Sequence, residues 1–177
     1  MQCVRRCVFR NGKVSMKAKA RFLVIAALCI ACLSALVGCS SNSAESDAQT
    51  QNRQYMSSVN TIMETLSTNM GEFSTAVKDK EVVSLSSQLS SVNQCVSDLE
   101  ALTVPEAMND IHSSYVQGAK ELQTALSSYV QLYEDVKAPQ NGNYNYSDYD
   151  SRIADIQSHY NAGIQALQDA DSKVQAA

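Results

Sequence analysis

The sequence is poor in basic residues after its first 21 positions. Seven of its 14 lysines and arginines lie within residues 1–21, whereas all 18 aspartates and glutamates lie at or after Glu45. From Cys39 onwards, seven basic residues stand against 18 acidic ones, which leaves a net charge of −11. A surface of this charge repels phosphate backbones, so the composition argues against nucleic acid as a partner.

Tryptophan and long apolar runs are missing as well. Tryptophan is absent from the 177 residues, but leucine, isoleucine, valine, methionine and tyrosine suffice for one modest core in a single domain. No stretch alternates polar and apolar residues with a period of two, so we expect no β-sheet. The longest apolar run, residues 22–37, has 16 residues, fewer than the ~20 that a membrane-spanning helix needs.

This apolar run lies between a basic segment and a cysteine. Residues 17–21 contain three basic residues, and Leu36-Val37-Gly38-Cys39 ends the run. A basic segment, an apolar run and a small residue before a cysteine, in this order, resemble the signal peptide and lipobox of bacterial lipoproteins. The resemblance implies cleavage after Gly38, diacylglycerol on the Cys39 sulfur, and often a further acyl chain such as palmitate on the new amino group.

The resemblance also implies where the protein is located. We expect a signal peptide over residues 1–38 and a lipid-anchored protein at the extracytoplasmic face of a cell membrane or an outer membrane. An ordinary secretory signal with a coincidental cysteine is the alternative. Residues 1–15 form a basic extension ahead of a complete signal, and a translation start at Met16 explains them most simply.

Apolar residues beyond Thr50 recur at steps of three and four, which is the spacing of one helix face. The preceding residues are small, polar and acidic, so the sequence predicts a flexible tether over residues 39–50. The apolar stripes predict four helices, over about residues 51–78, 80–102, 104–137 and 148–176.

The connections between these helices predict their arrangement. Asp79 can cap the second helix, and Thr103-Val-Pro-Glu106 matches a capping box before the third. The first two connections are short, so consecutive helices must run antiparallel. The sequence therefore predicts an all-α, antiparallel up-down-up-down four-helix bundle over residues 51–177. A rod that assembles between chains is the alternative.

Residue patterns for catalysis and metal binding are absent. The sequence has no glycine-rich phosphate loop and no nucleophile elbow. The Glu-x-x-His pattern of di-iron bundles is also missing, because Asn109 and Ile156 stand three residues before His112 and His159. In antiparallel helices these histidines would lie ~15 Å apart along the axis, too far to bind one metal ion. We therefore expect no metal, no cofactor, no catalytic residue and no enzymatic activity.

The cysteines carry no predicted chemistry beyond Cys39. Cys29 and Cys32 form a C-x-x-C inside the apolar run and would be removed with the signal peptide. Cys95 lies beside the apolar stripe of the second helix, which predicts a half-buried structural thiol.

Two features of the predicted bundle could serve a ligand or a partner. The connection before the fourth helix mixes tyrosine with asparagine and glycine, and Tyr144, Tyr146 and Tyr149 suit adaptable recognition of a partner. The alternative is a plain turn whose tyrosines fold over the end of the bundle. Gly118 and Gly163 fall at similar heights on the third and fourth helices, which predicts a close backbone approach, with a ligand-holding gap as the alternative.

Taken together, these patterns predict a membrane-anchored extracytoplasmic lipoprotein with a non-catalytic binding, scaffolding or sensing role at the cell envelope. Its expected partners are the membrane, through lipid on Cys39, and an envelope protein or glycan. The alternative function is a small-ligand carrier with a pocket between helices, and an enzyme is the third hypothesis, for which no residue can be named.

Overall fold

The computed structural model of the chain describes residues 43–79, 83–139, 144 and 146–176. Within these ranges the chain forms α-helices and no strand. The helices are α1 (Ser43–Asp79), α2 (Ser86–Glu100), α3 (Asn109–Lys137) and α4 (Tyr149–Ala176), and single 3₁₀ turns precede α3 (Glu106–Met108) and α4 (Tyr146–Asp148). The predicted all-α fold is therefore confirmed.

α1 illustrates why these segments are helical. Its apolar residues share one face, so Val59, Leu66 and Phe73 are all buried in the core. Its other face carries hydroxyl residues, and Thr61 and Thr65 each donate a hydrogen bond to the carbonyl oxygen four residues earlier. These bonds satisfy side chains that would otherwise compete with the helical backbone. Burial of each large apolar side chain contributes roughly 1.5–3 kcal/mol, which exceeds what helix propensity supplies.

The other predicted stripes also face the core. Every stripe position with a described side chain is buried or half-buried, whereas Val77 and Val82 lie outside the described side chains. α3 supplies the largest share of the buried residues, because it packs between α2 and α4. α4 buries only Ile156, Gly163 and Ala170 and packs its remaining apolar residues at the edge of the core.

Side-chain contacts establish the direction of each helix. The Tyr55 hydroxyl lies 3.1 Å from Nδ1 of His112, and the rings of Phe73 and Tyr129 lie 5.3 Å apart, so α1 and α3 run parallel. In contrast, α3 and α4 are antiparallel. Tyr115 near the start of α3 bonds to Asp171 near the end of α4. With α2 descending between the two parallel helices, the predicted up-down-up-down order is confirmed.

α1 begins earlier than predicted. It starts at Ser43 and not at residue 51, so the prediction of a flexible tether is wrong for residues 43–50, and residues 39–42 lie outside the described chain. Residues 43–50 contain no glycine or proline. Once the rest of α1 is helical, each further residue adds a hydrogen bond without a new nucleation cost, so the helix extends through this polar stretch.

α2 is shorter than predicted, at Ser86–Glu100 and not 80–102. Asp79 is the last residue of α1 and does not cap α2, whose N-cap position is Leu85. Leu85 is 4% exposed and makes no side-chain capping bond, so burial of its side chain holds the start of the helix.

The connection between α2 and α3 begins with a turn and ends in extended backbone. Glu100 pairs with Lys120 at 2.6 Å, whereas the 3₁₀ turn before α3 starts at Glu106. Ala101 still has helical backbone angles, and the N–H groups of Ala101 and Leu102 donate hydrogen bonds to carbonyl oxygens of α2. Pro105 has extended backbone angles, and no side chain caps this turn, so the predicted capping box does not form.

Candidate functional site

The predicted lipid-attachment residue Cys39 and the whole predicted signal peptide lie outside the described residues. In the part of the chain that the structure describes, no helix is both long and apolar enough to cross a membrane. The structure therefore relates to Cys39 only by showing where the first described helix begins. α1 starts at Ser43, four residues after Cys39 in the sequence.

The helix order gives the bundle two distinct ends. The first end holds the 101–105 connection and the end of α4, and α1 reaches this end near Tyr55, beside His112. The far end holds the end of α1, the start of α2 and the connection between α3 and α4. α1 has 37 residues and is about 55 Å long, and its residues 43–54 precede the level of His112, so the two ends of the bundle are better measured by α3, whose 29 residues span about 44 Å.

The three predicted tyrosines form a cluster at the far end. The ring centroids are 4.7 Å apart for Tyr144 and Tyr146, 6.4 Å for Tyr144 and Tyr149, and 6.2 Å for Tyr146 and Tyr149. Such spacings are favourable for aromatic pairs. Tyr144 and Tyr149 are half-buried against the core, whereas Tyr146 is 67% exposed. We call these three residues the tyrosine patch.

An ion pair joins the helices beneath the tyrosine patch. A guanidinium nitrogen of Arg152 on α4 lies 2.8 Å from a carboxylate oxygen of Asp135 on α3. Hydrogen bonds from Gln131 and then from Arg152 lower the pKa of Asp135. Burial alone would lower the pKa of Arg152, but the hydrogen bond and charge of Asp135, with a smaller effect of Tyr144, raise it. Both side chains are partly exposed, so this pair adds little to the stability of the fold.

The two histidines make separate polar contacts. Nδ1 of His159 lies 2.7 Å from a carboxylate oxygen of Glu121 across α3 and α4. His112 bonds to Tyr55, and burial lowers the pKa of His112, an effect that the charge of Glu100 partly offsets. Burial also raises the pKa of Tyr55 to about 12, so we assign the hydroxyl as donor and the imidazole as acceptor. The described residues include no group of three side chains that could hold a metal ion.

Cys95 is more deeply buried than predicted. Its side chain is 3% exposed in the core of α2. Burial, and then the charge of Asp98, raise the pKa of the thiol. A thiol of this kind is a poor nucleophile, because the reactive thiolate is disfavoured.

Gly118 and Gly163 meet where α3 crosses α4. A Cβ atom added to Gly118 would lie 2.7 Å from Cγ of Leu167 and 3.1 Å from the carbonyl oxygen of Gly163. A Cβ atom added to Gly163 would lie 2.7 Å from Cγ of Leu122 and 3.0 Å from the carbonyl oxygen of Gly118. The predicted close approach of the two backbones is confirmed, and the alternative of a ligand-holding gap at this crossing is wrong.

The grooves of the bundle lie on its surface. One, of about 450 Å³, follows the last turns of α1. A second, of about 250 Å³, lies between α2 and α3. Carriers of small molecules usually enclose most of the ligand surface, which an open groove cannot do. The first groove is lined by Thr68, Gly71, Glu72, Thr75, Ala76, Val83 and Leu85, and the second by Leu89, Asn93, Gln123, Thr124, Ser127 and Ser128.

Sequence reasoning missed the polar contacts between helices. The carboxylate of Asp171, for example, accepts a hydrogen bond of 2.7 Å from the buried Tyr115. The hydroxyl of Tyr115 does reach the rim of the core, as its position in the apolar stripe predicts. Which carboxylate it meets depends on the register of α3 against α4, and no local pattern encodes that register.

Comparison with known proteins identifies a family without an assigned activity. No curated protein and no solved structure matches the chain at a significant level. A family model described as a family of unknown function, DUF6376, matches residues 49–167, which is about two thirds of the chain. The match runs from α1 into α4 and so spans the helical bundle. The chain therefore belongs to the DUF6376 family of unknown function.

Proposed function

We propose that this protein is a lipid-anchored, extracytoplasmic lipoprotein that binds an envelope partner without catalysing a reaction. The lipobox Leu36-Val37-Gly38-Cys39 supports the anchor, and the tyrosine patch supports the binding role. The observation that carries the proposal is the placement of the patch at the end of the bundle opposite the first residue of α1.

The bundle then acts as a spacer between membrane and partner. Lipid on Cys39 holds the chain at the membrane, and three residues separate Cys39 from Ser43, the first residue of α1. Even fully extended, this stretch reaches only about 14 Å, so the first residue of α1 stays near the membrane. α1 is about 55 Å long and can hold the patch well beyond the lipid head groups.

The exposed ring of Tyr146 is the centre of the proposed binding surface. Tyrosine supplies a large, rigid contact area at low entropic cost, which is why it is common in binding sites. Tyr144 and Tyr149 pack beneath and beside it, so the exposed ring is held in place before the partner arrives. A surface ordered in advance binds more tightly than one that must be ordered on contact.

Metabolic labelling with a fatty acid tests the anchor. We expect the wild-type protein to carry label and to partition into membranes, whereas Cys39→Ala should carry none and accumulate as unprocessed precursor. Cys95→Ala is the matched control, because Cys95 is buried in the core and should not affect labelling. If Cys39→Ala is labelled as strongly as wild type, the proposed anchor is wrong.

A further inference from the structure

We infer that the partner of the tyrosine patch is a cationic polypeptide segment, one rich in arginine or lysine. This inference rests on the proposed binding role of the patch, but it does not depend on the lipid anchor. It concerns the chemistry that the exposed Tyr146 ring and its neighbouring carboxylates recognise together.

The part of the chain that carries the patch is rich in exposed carboxylates. Residues 134–152 contain four acidic and two basic residues. Of these, Asp135 and Arg152 neutralise each other in their ion pair. Lys137 is the remaining cation, and its Nζ lies 5.3 Å from the ring centroid of Tyr133. The remaining acidic residues, all exposed, are Glu134, Asp148 and Asp150.

Two of these carboxylates lie close to Tyr146 in the sequence. Tyr146 begins the 3₁₀ turn that Asp148 ends, and Asp150 lies in the first turn of α4. Tyr146 is 67% exposed, so its ring is available to a partner. A guanidinium or ammonium group against this ring gains cation–π attraction, and nearby carboxylates add charge attraction. The contact of Lys137 with Tyr133 uses the same chemistry within the chain.

The charge of the whole domain favours the same class of partner. With a net charge of −11 from Cys39 onwards, the protein repels anionic polymers and attracts cationic segments over a distance of about a Debye length. A neutral glycan could stack on Tyr146, but it would gain nothing from this field. A cationic segment uses both the ring and the carboxylates.

Binding to three probes tests the inference, with full-length protein in neutral detergent micelles. The probes are a short peptide of arginine and glycine, a peptide with glutamate in place of arginine, and an oligomer of N-acetylglucosamine. We expect only the arginine peptide to bind, and more weakly as salt rises. Tyr146→Ser should weaken this binding about fivefold. The double variant Asp148→Asn, Asp150→Asn should weaken it and reduce its salt dependence.

The matched control is Asp98→Asn with Asp169→Asn. These two carboxylates are also exposed and each accepts a bond from a glutamine four residues earlier, but they lie away from the patch. The control should bind the arginine peptide as wild type does, and circular dichroism melts should show that all variants are folded. Equal loss in the control would mean diffuse charge attraction and would overturn the inference.

Other outcomes separate the inference from the binding role on which it rests. Binding of the sugar oligomer or of the glutamate peptide that is lost in Tyr146→Ser would overturn the cationic partner and leave the patch as a binding surface. Binding of the arginine peptide that Tyr146→Ser does not change would overturn both.

Discussion

At the scale of single residues, the crossing of α3 and α4 depends on two glycines. Gly118 and Gly163 bring the backbones so close that each carbonyl oxygen lies within 3.1 Å of a Cβ atom placed on the other glycine. An interior glycine costs a helix about 1 kcal/mol relative to alanine. The close packing that the two glycines permit offsets this cost.

We predict that Gly118→Leu lowers the free energy of unfolding by ~1–3 kcal/mol, because the larger side chain must displace Leu167 and separate the helices. Gly71→Leu is the control. Gly71 lies inside α1 with no atom within 4 Å of an added Cβ, so leucine there should stabilise the protein by about 0.5–1 kcal/mol. Urea unfolding of both variants measures the difference. A Gly118→Leu protein as stable as wild type would mean that the crossing is loosely packed.

His112 makes the stability of the bundle depend on pH. Burial lowers its pKa in the folded state, so the unfolded chain binds the proton more readily. The stability contributed by neutral His112 is therefore present above the unfolded pKa of about 6.5 and is lost as pH falls below it. Protonation also removes the acceptor that Nδ1 offers to the Tyr55 hydroxyl.

We predict that the wild-type protein loses stability between about pH 7 and pH 5, and that His112→Gln loses less. Thermal melts across this pH range provide the measurement. In His159→Gln the loss should persist, because His112 is still present. A His112→Gln protein with the wild-type pH profile would contradict the assignment to His112.

At the scale of elements, α3 is the central helix. It packs against both α2 and α4, and Leu122 in its middle is 2% exposed and lies against Gly163. α3 thus joins the α1–α2 half of the bundle to α4, and damage to its buried face should affect the whole fold.

We predict that Leu122→Asp unfolds the protein. An unpaired buried charge costs several kcal/mol, a large part of the roughly 5–15 kcal/mol by which a domain is stable. Thr124→Asp is the control. Thr124 is exposed and lies two residues after Leu122, so this substitution introduces the same charge at the surface. Far-ultraviolet circular dichroism of both variants should show lost helicity only for Leu122→Asp. Cooperative unfolding of Leu122→Asp with an unchanged midpoint would place α3 outside the core.

Element boundaries were harder to predict than element identity. The sequence predicted four helices because apolar stripes reflect burial along the whole length of each helix. It missed the ends of α1 and α2 because polar residues such as 43–50 are compatible with either helix or coil. The turn at Ala101 and the extended backbone at Pro105 depend on where α2 ends, which no local pattern marks.

At the scale of the whole molecule, the even number of antiparallel helices determines which ends meet. The first half of α1 and the end of α4 lie on the side of the start of α3, and the tyrosine patch lies at the other end. An acidic domain whose first helix is about 55 Å long can thus separate an anchor from a binding surface. This separation follows from topology and does not require any particular residue at the far end.

The sequence by itself determined the helical class of this protein, the apolar faces and the antiparallel order, because helix periodicity and short connections are local properties. It also predicted that Gly118 and Gly163 approach each other, because counting residues from the helix ends places them at similar heights. Only the tertiary structure decided that Tyr144, Tyr146 and Tyr149 form one cluster, and that Tyr55 meets His112 and Tyr115 meets Asp171. These contacts join residues far apart in the chain, or residues placed by a turn. They depend on how the packed core sets the register of one helix against another.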